Sequence, residues 1–373
     1  MNPSHTPMRV ALIGLGESAS RIHLPALNGL PEAALIAACD LDPGRRKRAK
    51  KRWQIPDVYA DPLDMLDQVE TAPSGRPDIV VIATPPGTHY QLCKAALERG
   101  CHVFCEKPFT PSLEEADQII ALSKSKNRLV AVNHQYDQMP IFRAVTEALR
   151  GRMSSIRDSI GRLYHIEAWQ HIYLLPSEEA GWKGALAPRR VLFEFGTHVV
   201  DLMCQFFDAY PTAVTAQTAE VRPGETADVC VVMRLDFPGK RFGNLVFNRM
   251  SYAPIKYLEM RLDGEDAALR ASYGGVARIG LDWNSELGRP RFRFSMTKGG
   301  ELRLEKRHGR SKRLVTQPET ALSLATQRHF AQFIKAIKFG GEPRTSAECA
   351  RDALRVVFAG YQSIEEGGGL IVL

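Results

Sequence analysis

The chain of 373 residues is long enough for two domains, each with a hydrophobic core of its own. Its 44% hydrophobic and 24% charged residues exclude a disordered or fibrous protein. The net charge of +7 favours anionic ligands but is too small for a nucleic-acid binder, so no nucleic acid is expected as a partner. No apolar run approaches the roughly 20 residues of a membrane span, so no membrane is expected as a partner either.

The N-terminal sequence and the cysteines indicate the cellular compartment. MNPSHTPMRV runs directly into ALIGLG without the features of a secretory signal. The seven cysteines lie mostly within apolar stretches, as reduced thiols do in a reducing compartment. Cys101 and Cys105 flank one predicted strand without a second ligand pair nearby, which favours core packing over a zinc site. We therefore expect a cytoplasmic protein without a metal.

The N-terminal third alternates short apolar strands with helices. The first strand, RVALIG at 9–14, leads through a glycine turn into a segment with apolar residues at helical spacing, and a second apolar run ends at Asp40. The alternation continues with strands at 78–84, 102–106 and 128–133 and helices at about 88–98 and from Ser112. This order predicts an α/β domain with a doubly wound parallel sheet.

After a helix at about 141–149 the pattern changes to strands separated by turns, which predicts a mostly antiparallel sheet. Two helices, roughly 319–338 and 346–365, close the chain, the second with a partial capping box. We place a dinucleotide-binding domain at 1–135 and a substrate-binding and oligomerisation domain of α+β type at 136–373, of which the last helix can pack back on the first domain. The ligand crevice is expected at the carboxyl ends of the parallel strands.

The turn after the first strand carries a dinucleotide-binding pattern. Gly14 allows a tight turn, Gly16 lets the backbone approach a pyrophosphate, and Ala19 is small enough for close packing of helix on strand. The helix that follows, with Glu17 and Ser18 in its first turn, offers backbone amides to an anion. Because Asp40 ends the next strand, where it can accept from a ribose 2′-hydroxyl, the pattern predicts dinucleotide binding.

The choice between NAD and NADP depends on opposing charges. The carboxylate of Asp40 repels a 2′-phosphate and therefore favours NAD. The segment RRKRAKKR at 45–52 follows at once, and Arg45 or Arg46 could reach that phosphate, although a solvated helix face explains the same residues. We predict a preference for NAD, with NADP as the alternative.

Two further strand ends carry polar residues, Thr84-Pro85-Pro86 with His89, and Cys105-Glu106-Lys107-Pro108-Phe109. In this context, ATPPGTHYQLCKAALERGCHVFCEKPF resembles the signature of the glucose-fructose oxidoreductase / inositol dehydrogenase (Gfo/Idh/MocA) family. The resemblance extends to GLGESASRIHLPAL, to GTHVVD at 196–201 and to the closing SAECARDALRVVFAGYQSIEEG, and so covers nearly the whole chain. The segment EKP is its most specific part.

The resemblance implies a Rossmann domain, a second domain with an open sheet, and a sugar, cyclitol or related polyol as substrate. It places Lys107 beside the nicotinamide and the substrate hydroxyl, before a cis proline at Pro108. It assigns to cofactor binding the residues Gly14, Gly16, Glu17, Ser18, Ala19, Asp40, Thr84, Pro85, Pro86, His89, Glu106 and Lys107. Homodimers or homotetramers with open sheets packed face to face are also implied.

A second group lies at Glu194 to Asp201. If residues 198–206 are helical, His198 and Asp201 share one face a turn apart, and a carboxylate can orient an imidazole that accepts a proton. The resemblance makes His198 the general base and includes Lys107 and Glu194 in the catalytic set, which Asp201 joins because of its place beside His198. The family usually has Asp where this chain has Glu194, which bears on substrate identity.

Three other segments are candidates for substrate contact. Tyr136 follows the sixth strand, where family members place substrate-binding groups, and Trp182 could stack on a sugar ring or pack in the core. Pro188, Arg189 and Arg190 stand where many members of the family have a glycine-rich loop. The two arginines could bind an anionic group of the substrate or face solvent. The substrate-binding set is thus Lys107, Tyr136, Trp182, Glu194 and His198.

The sequence predicts reversible hydride transfer between a secondary alcohol and nicotinamide, with His198 as base and Lys107 polarising the oxygen. Two alternatives stay open. One is an NAD-dependent glycoside hydrolase that oxidises a sugar transiently. The other is a non-catalytic regulator that senses a dinucleotide or a sugar, against which the presence of Lys107 and His198 argues.

Overall fold

The structure is a computed structural model that describes residues 6–68, 75–153, 160–173, 191–221, 228–252, 257–274, 276–284, 289–297, 299–318 and 320–373. The chain divides into two compact units. The first consists of Met1–Gln138 with Leu322–Arg355, and the second of Met139–Ala321 with Val356–Leu373.

The first unit contains a six-stranded parallel sheet in the order β3-β2-β1-β4-β5-β6. Its strands are β1 (Met8–Ile13), β2 (Ala33–Cys39), β3 (Asp57–Tyr59), β4 (Ile79–Ile82), β5 (His102–Cys105) and β6 (Val130–Val132). Its helices are α1 (Leu24–Asn28), α2 (Pro43–Trp53), α3 (Pro62–Gln68), α4 (His89–Glu98) and α5 (Leu113–Ser125). A π-helical turn, Ala19–His23, precedes α1. Because the sheet is parallel, the carboxyl ends of its strands lie at one edge, among them those of β1, β2, β4, β5 and β6.

Residues that are distant in sequence complete the core of this unit. Phe330 and Phe333 of helix α8 (Ala321–Phe339) are buried against Phe104 of β5, with ring centroids 5.0 and 5.8 Å from it. The sequence placed the boundary at residue 135 and allowed the last helix to pack back on the first domain; the first unit contains both α8, from Leu322, and the start of the last helix, to Arg355. The contact of Phe330 and Phe333 with Phe104 of β5 joins α8 to this core, and the sequence pattern does not reveal it.

The second unit contains a mixed nine-stranded sheet in the order β16-β15-β12-β11-β7-β10-β9-β8-β17, in which only β7 and β10 pair in parallel. Its strands are β7 (Leu163–His171), β8 (Ala213–Ala219), β9 (Cys230–Phe237), β10 (Arg241–Asn248), β11 (Leu258–Gly264), β12 (Ala268–Tyr273), β15 (Gly300–Glu305), β16 (Ser311–Gln317) and β17 (Ile371–Val372). A separate hairpin pairs β13 (Val276–Asn284) with β14 (Arg289–Thr297). The parallel sheet and the mostly antiparallel sheet confirm the predicted fold class.

One face of the nine-stranded sheet is buried and the other is polar, because apolar residues alternate along the strands. Helices α6 (Pro140–Leu149) and α7 (Thr197–Phe207) pack on the buried face. The opposite face carries ion pairs such as Arg270 with Glu259 and Glu305, at 2.6 and 2.8 Å. Helix α9 (Ala347–Glu365) completes the set of elements.

No helix within the described ranges combines the length and the apolar character that a membrane span requires. Across the same ranges, no three side chains of His, Cys, Asp or Glu form a group able to hold a metal ion. All seven cysteines are free thiols.

Candidate active site

The glycine turn after β1 has a backbone that only glycine permits. Gly14 has a φ of +93°, and a Cβ atom at this position would lie 2.6 Å from the carbonyl oxygen of Ala83. At Gly16, by contrast, the nearest atom to an added Cβ is Nη1 of Arg45, 3.8 Å away, so the backbone is open to a ligand. The buried Ala19 begins the π-helical turn. The turn and the helix start at Glu17 and Ser18 therefore fit a dinucleotide pyrophosphate.

Asp40 binds this turn from the end of β2. Its Oδ2 accepts from the backbone N–H of Leu15 at 2.7 Å, and its Oδ1 accepts from that of Asp42 at 2.8 Å. Nη1 of Arg45 lies 3.6 Å from Oδ2. Because each carboxylate oxygen accepts more than one hydrogen bond, Asp40 can shape the turn and still accept from a ribose hydroxyl.

The arginines of α2 have different roles. Asp42 caps the helix by accepting from the backbone N–H of Arg45, and Nη1 of Arg46 donates to the carbonyl oxygens of Asp40 and Leu41, at 2.7 and 2.9 Å. Arg46 thus binds the backbone that follows β2. Arg45 instead lines a cleft of about 630 Å³ together with Gly16, Glu17, Ser20, Leu24, Arg48, Ala49, Lys51, Arg52 and Trp53.

The loop after β4 brings Thr84, Pro85 and Pro86 to the same edge of the sheet. Thr88 stabilises this loop, since its hydroxyl donates to the Oγ1 of Thr84 and to the carbonyl oxygen of Pro85. His89 lies beneath the loop and is fully buried. Its Nε2 is 2.9 Å from the carbonyl oxygen of Thr84, while its Nδ1 is 2.9 Å from that of Pro108 and 3.1 Å from that of Phe109.

The segment after β5 contains a buried, ionised glutamate. Oε1 of Glu106 accepts from Nε2 of His23 and from Nδ2 of Asn133, both at 2.7 Å, and Oε2 accepts from the backbone N–H of Lys107 at 3.1 Å. Burial alone would raise the pKa of Glu106, but His23, Asn133 and Lys107 outweigh burial and lower it to about 2. The Lys107–Pro108 peptide is cis, as the resemblance implied, and Lys107 is half-buried.

The turn after β6 is buried. Asn133 lies inside, and its Nδ2 also lies 3.2 Å from Oγ1 of Thr326 in α8. His134 is 1% exposed and burial lowers its pKa to about 3, so the ring is neutral near pH 7. Tyr136 is 5% exposed within the 3-10 turn Gln135–Gln138. Its substrate contact stays a prediction.

In the second unit, a π-helical turn, Leu192–Gly196, continues into α7 and carries Glu194, His198 and Asp201. All three side chains are buried, at 7%, 3% and 8% exposure. Oε2 of Glu194 lies 3.5 Å from Nη1 of Arg249, and Oδ2 of Asp201 accepts from Nε2 of Gln205 at 2.8 Å. The helix predicted around His198 is confirmed. Trp182 and the segment with Arg189 and Arg190 lie outside the described residues.

Asp228 and Tyr361 hold the start of this helix. The carboxylate of Asp228 accepts from the backbone N–H groups of Val191 and Leu192, at 2.8 and 3.0 Å. The hydroxyl of Tyr361 donates to Asp228 at 2.8 Å and accepts from the backbone N–H of Phe193 at 3.0 Å. Two side chains thus satisfy three first-turn N–H groups, which have no partners inside the helix.

Sequence reasoning missed Arg249, Asp228, Tyr361 and Asn133 as members of these clusters. Asn133, Asp228 and Arg249 adjoin strand ends and Tyr361 lies in α9, and no local pattern shows which distant residues they contact. His23 lies in the π-helical turn before α1 at 1% exposure, among apolar residues at helical spacing that give no sign of a polar partner. Its partner Glu106 is 83 positions away.

Comparisons with known proteins agree with this architecture. The family model described as "Oxidoreductase family, NAD-binding Rossmann fold" matches residues 8–134, and the one described as "GFO/IDH/MocA C-terminal domain" matches 156–270. An oxidoreductase from Agrobacterium radiobacter, solved with NAD+, L-tartaric acid and magnesium, superposes with a TM-score of 0.77 over 98% of both chains, at 20% identity. This likeness shows the fold.

Three relatives illustrate the range of the family. Uncharacterized oxidoreductase C115.03 of Schizosaccharomyces pombe is 29% identical over 63% of this chain, and the match spans 61% of that protein. scyllo-Inositol 2-dehydrogenase (NADP(+)) IolW of Bacillus subtilis is 25% identical over 96% of this chain and 94% of its own length. D-glucoside 3-dehydrogenase of Escherichia coli is 30% identical over 43% of this chain and 42% of its own length. Because both family domains match and the dinucleotide turn is intact, the chain belongs to the Gfo/Idh/MocA family of NAD(P)-dependent oxidoreductases.

Proposed function

We propose that this protein oxidises a secondary alcohol of a sugar, aminosugar or cyclitol, or reduces the corresponding ketone, with NAD as its preferred cofactor. The observation that carries the proposal is the placement of Lys107 directly after β5, at the sheet edge where the glycine turn and Asp40 also lie. The names of two relatives, an inositol and a glucoside dehydrogenase, support this substrate class.

The first unit supplies the residues that would hold the cofactor. The turn from Gly14 to Ala19 fits the pyrophosphate, Asp40 fits the adenosine ribose, and Thr84, Pro85 and Pro86 lie on the neighbouring loop. Bound there, the nicotinamide would supply the acceptor for a hydride. His89 and Glu106, which we also predicted as cofactor-binding, have their polar atoms directed at protein groups, so they support the site from within.

Lys107 and His198 would handle the alcohol group. The ammonium of Lys107 donates to the substrate oxygen and stabilises negative charge on it, and the imidazole of His198 takes the hydroxyl proton. Glu194 and Asp201, one turn before and after His198 along the chain, would bind and orient the same group. Nη1 of Arg249 lies 3.5 Å from Oε2 of Glu194 and holds this carboxyl group in place, where its oxygens would accept from substrate hydroxyls.

Charge at the end of β2 supports the preference for NAD. Asp40 is 9% exposed and its carboxylate shapes the glycine turn, so a 2′-phosphate would have to approach a fixed negative charge. Arg45 offsets this repulsion in part, since Nη1 lies 3.6 Å from Asp40. Binding of NADP is therefore expected to be weaker than that of NAD but measurable.

The test is a screen of polyols, aminosugars, sugar acids and cyclitols for NADH formation, with Lys107→Met as the diagnostic variant. We expect this variant to bind NAD with a nearly unchanged Kd and to lose about a hundredfold or more in turnover. The reason is that the substitution removes the donor to the reacting oxygen of the substrate. Lys126→Met, an exposed lysine after α5, is the matched control. Near-normal turnover of Lys107→Met would remove Lys107 from the mechanism.

Product analysis separates the proposal from its two alternatives. Cleavage of a glycoside without net NADH formation would indicate the transient-oxidation hydrolase. Tight cofactor binding without hydride exchange with any polyol would indicate a sensor.

We also propose a homodimer or homotetramer formed through the open face of the nine-stranded sheet, where Tyr164 and Val232 are exposed. The seven free cysteines support a reducing compartment such as the cytoplasm. Light scattering of the wild-type protein and of Val232→Glu tests the assembly. A variant that keeps the wild-type mass would contradict this interface.

A further inference from the structure

We infer that two buried histidines, His23 and His89, are positioning residues that fix Lys107 from both sides. The inference rests on the proposed function, because Lys107 is the group to be positioned. His23 acts through the carboxylate of Glu106, and His89 acts through the carbonyl groups of Pro108 and Phe109. All of these residues belong to the first unit.

His23 fixes the residue before Lys107. The side chain of His23 is 1% exposed and that of Glu106 is 7% exposed, so solvent cannot replace their 2.7 Å hydrogen bond. Asn133 donates to the same carboxylate oxygen, which prevents the carboxylate from turning. The other oxygen accepts the backbone N–H of Lys107. Three bonds thus define the point from which the Lys107 side chain begins.

His89 fixes the residues after Lys107. Its Nδ1 faces the carbonyl oxygens of Pro108 and Phe109, and its Nε2 faces that of Thr84 in the loop after β4. A ring that is protonated on both nitrogens donates to both loops, whereas a neutral ring donates to one. In either form the imidazole fills the space between the loops. The segment that carries Lys107 is therefore held in a constant relation to the loop that carries Thr84, Pro85 and Pro86.

Such support matters because hydride transfer tolerates little displacement. A shift of about 1 Å in a catalytic group can reduce a rate about a hundredfold. The contacts of the two histidines fall within the four residues 106–109, on either side of Lys107. Neither ring is directed at solvent, since His23 and His89 are 1% and 0% exposed, which argues for support of Lys107 rather than contact with substrate.

The chain offers a matched control in His102. This residue lies at the opposite end of β5, its Nδ1 accepts from the backbone N–H of Leu129 at 3.0 Å, and its ring packs edge-on against Phe333. It shares the strand that leads to Lys107 without bonding to residues 106–109. Substitution of His102 therefore perturbs the same sheet and leaves the support of Lys107 in place.

The experiment compares His23→Leu, His89→Leu and His102→Leu, each with its Gln counterpart. Steady-state kinetics are measured with a polyol that the wild-type protein oxidises, and NAD binding is measured by direct titration. For the first two we expect kcat to fall about 10- to 100-fold while KM and the NAD Kd stay within about twofold. His23→Gln, which keeps an N–H donor, should recover much of the loss. His102→Leu should lower Tm without lowering kcat. A kcat that falls equally in His102→Leu, or that falls only in proportion to NAD binding, would overturn the inference.

A second measurement does not require any activity. The rate of reductive methylation of Lys107, followed by peptide mass spectrometry, should change severalfold in His23→Leu and His89→Leu and stay constant in His102→Leu. Unchanged methylation in all three variants would overturn the inference. If wild type oxidises no polyol but the methylation rates change as expected, the proposed function fails and the support of Lys107 by the two histidines stands.

Discussion

The hydroxyl of Tyr361 donates to Asp228 at 2.8 Å and accepts from the backbone N–H of Phe193 at 3.0 Å, so one side chain of α9 completes the cap of the helix that carries His198. We expect Tyr361→Phe to lower the free energy of unfolding by about 1–3 kcal/mol, because it leaves a buried N–H and a buried carboxylate with fewer partners. Urea unfolding measures the change. Tyr252→Phe, at a tyrosine that is 78% exposed, should have no such effect, and equal losses would contradict the role of the cap.

The pair of Arg249 and Glu194 gives a second prediction. Arg249 is 1% exposed and lies 3.5 Å from Glu194, so Arg249→Met removes one member of a buried ion pair and should cost about 3–5 kcal/mol of stability. The double variant with Glu194→Gln should be more stable than Arg249→Met alone. Arg234→Met is the control, since Arg234 pairs with Asp236 at the surface and should cost less than about 1 kcal/mol. A double variant no more stable than Arg249→Met would contradict the pairing.

Cofactor choice should respond to Asp40 and Arg45 in opposite directions. Asp40→Ser removes the charge that repels a 2′-phosphate and should raise the ratio of NADPH to NADH affinity about tenfold, which is about 1.4 kcal/mol. Arg45→Leu should lower the same ratio. Fluorescence titration of both reduced cofactors gives the Kd values, with Lys50→Leu on the exposed part of α2 as control. An Arg45→Leu variant that loses both cofactors equally would show that Arg45 does not discriminate between them.

Buried histidines should make the protein less stable in acid. Burial lowers the pKa of His329 to about 3, whereas the unfolded ring titrates near about 6.5. Between these values the unfolded chain binds a proton that the folded chain does not, so stability falls as pH falls, by at most about 1.4 kcal/mol per pH unit for this ring. His329→Gln should therefore lose less stability than wild type between pH 6.5 and 4.

Denaturant unfolding at several pH values tests this. His308→Gln changes a histidine in the exposed turn between β15 and β16, and its stability should follow pH in parallel with wild type. A His329→Gln curve that is also parallel to wild type would contradict the assignment of a neutral buried ring. The His329→Gln variant also lacks the hydrogen bond between His329 and Thr345. This loss lowers the free energy of unfolding at every pH but does not change its slope with pH.

Local patterns in the sequence predicted the elements but not the polar clusters within them. Continuous apolar runs such as Ala33–Cys39 suffice for a buried parallel strand, and the spacing of Gly14, Gly16 and Asp40 suffices for the dinucleotide turn. The partners of Glu106 could not be predicted because His23 and Asn133 come from two other strand–helix units of the same sheet. A residue pattern with period 2 or 3.6 reports burial, whereas hydrogen bonds depend on which buried residues meet.

The contribution of α8 to the first core constrains how the protein is made. Phe330 and Phe333 pack on Phe104, so a nascent chain that has emerged only as far as Gln138 has its Rossmann strands but lacks one side of their apolar cover. Domains generally fold as units during synthesis, starting from the N-terminus. The first unit can therefore complete its core only after α8 (Ala321–Phe339) has been translated. Until then its strands expose apolar surface of the kind that chaperones bind.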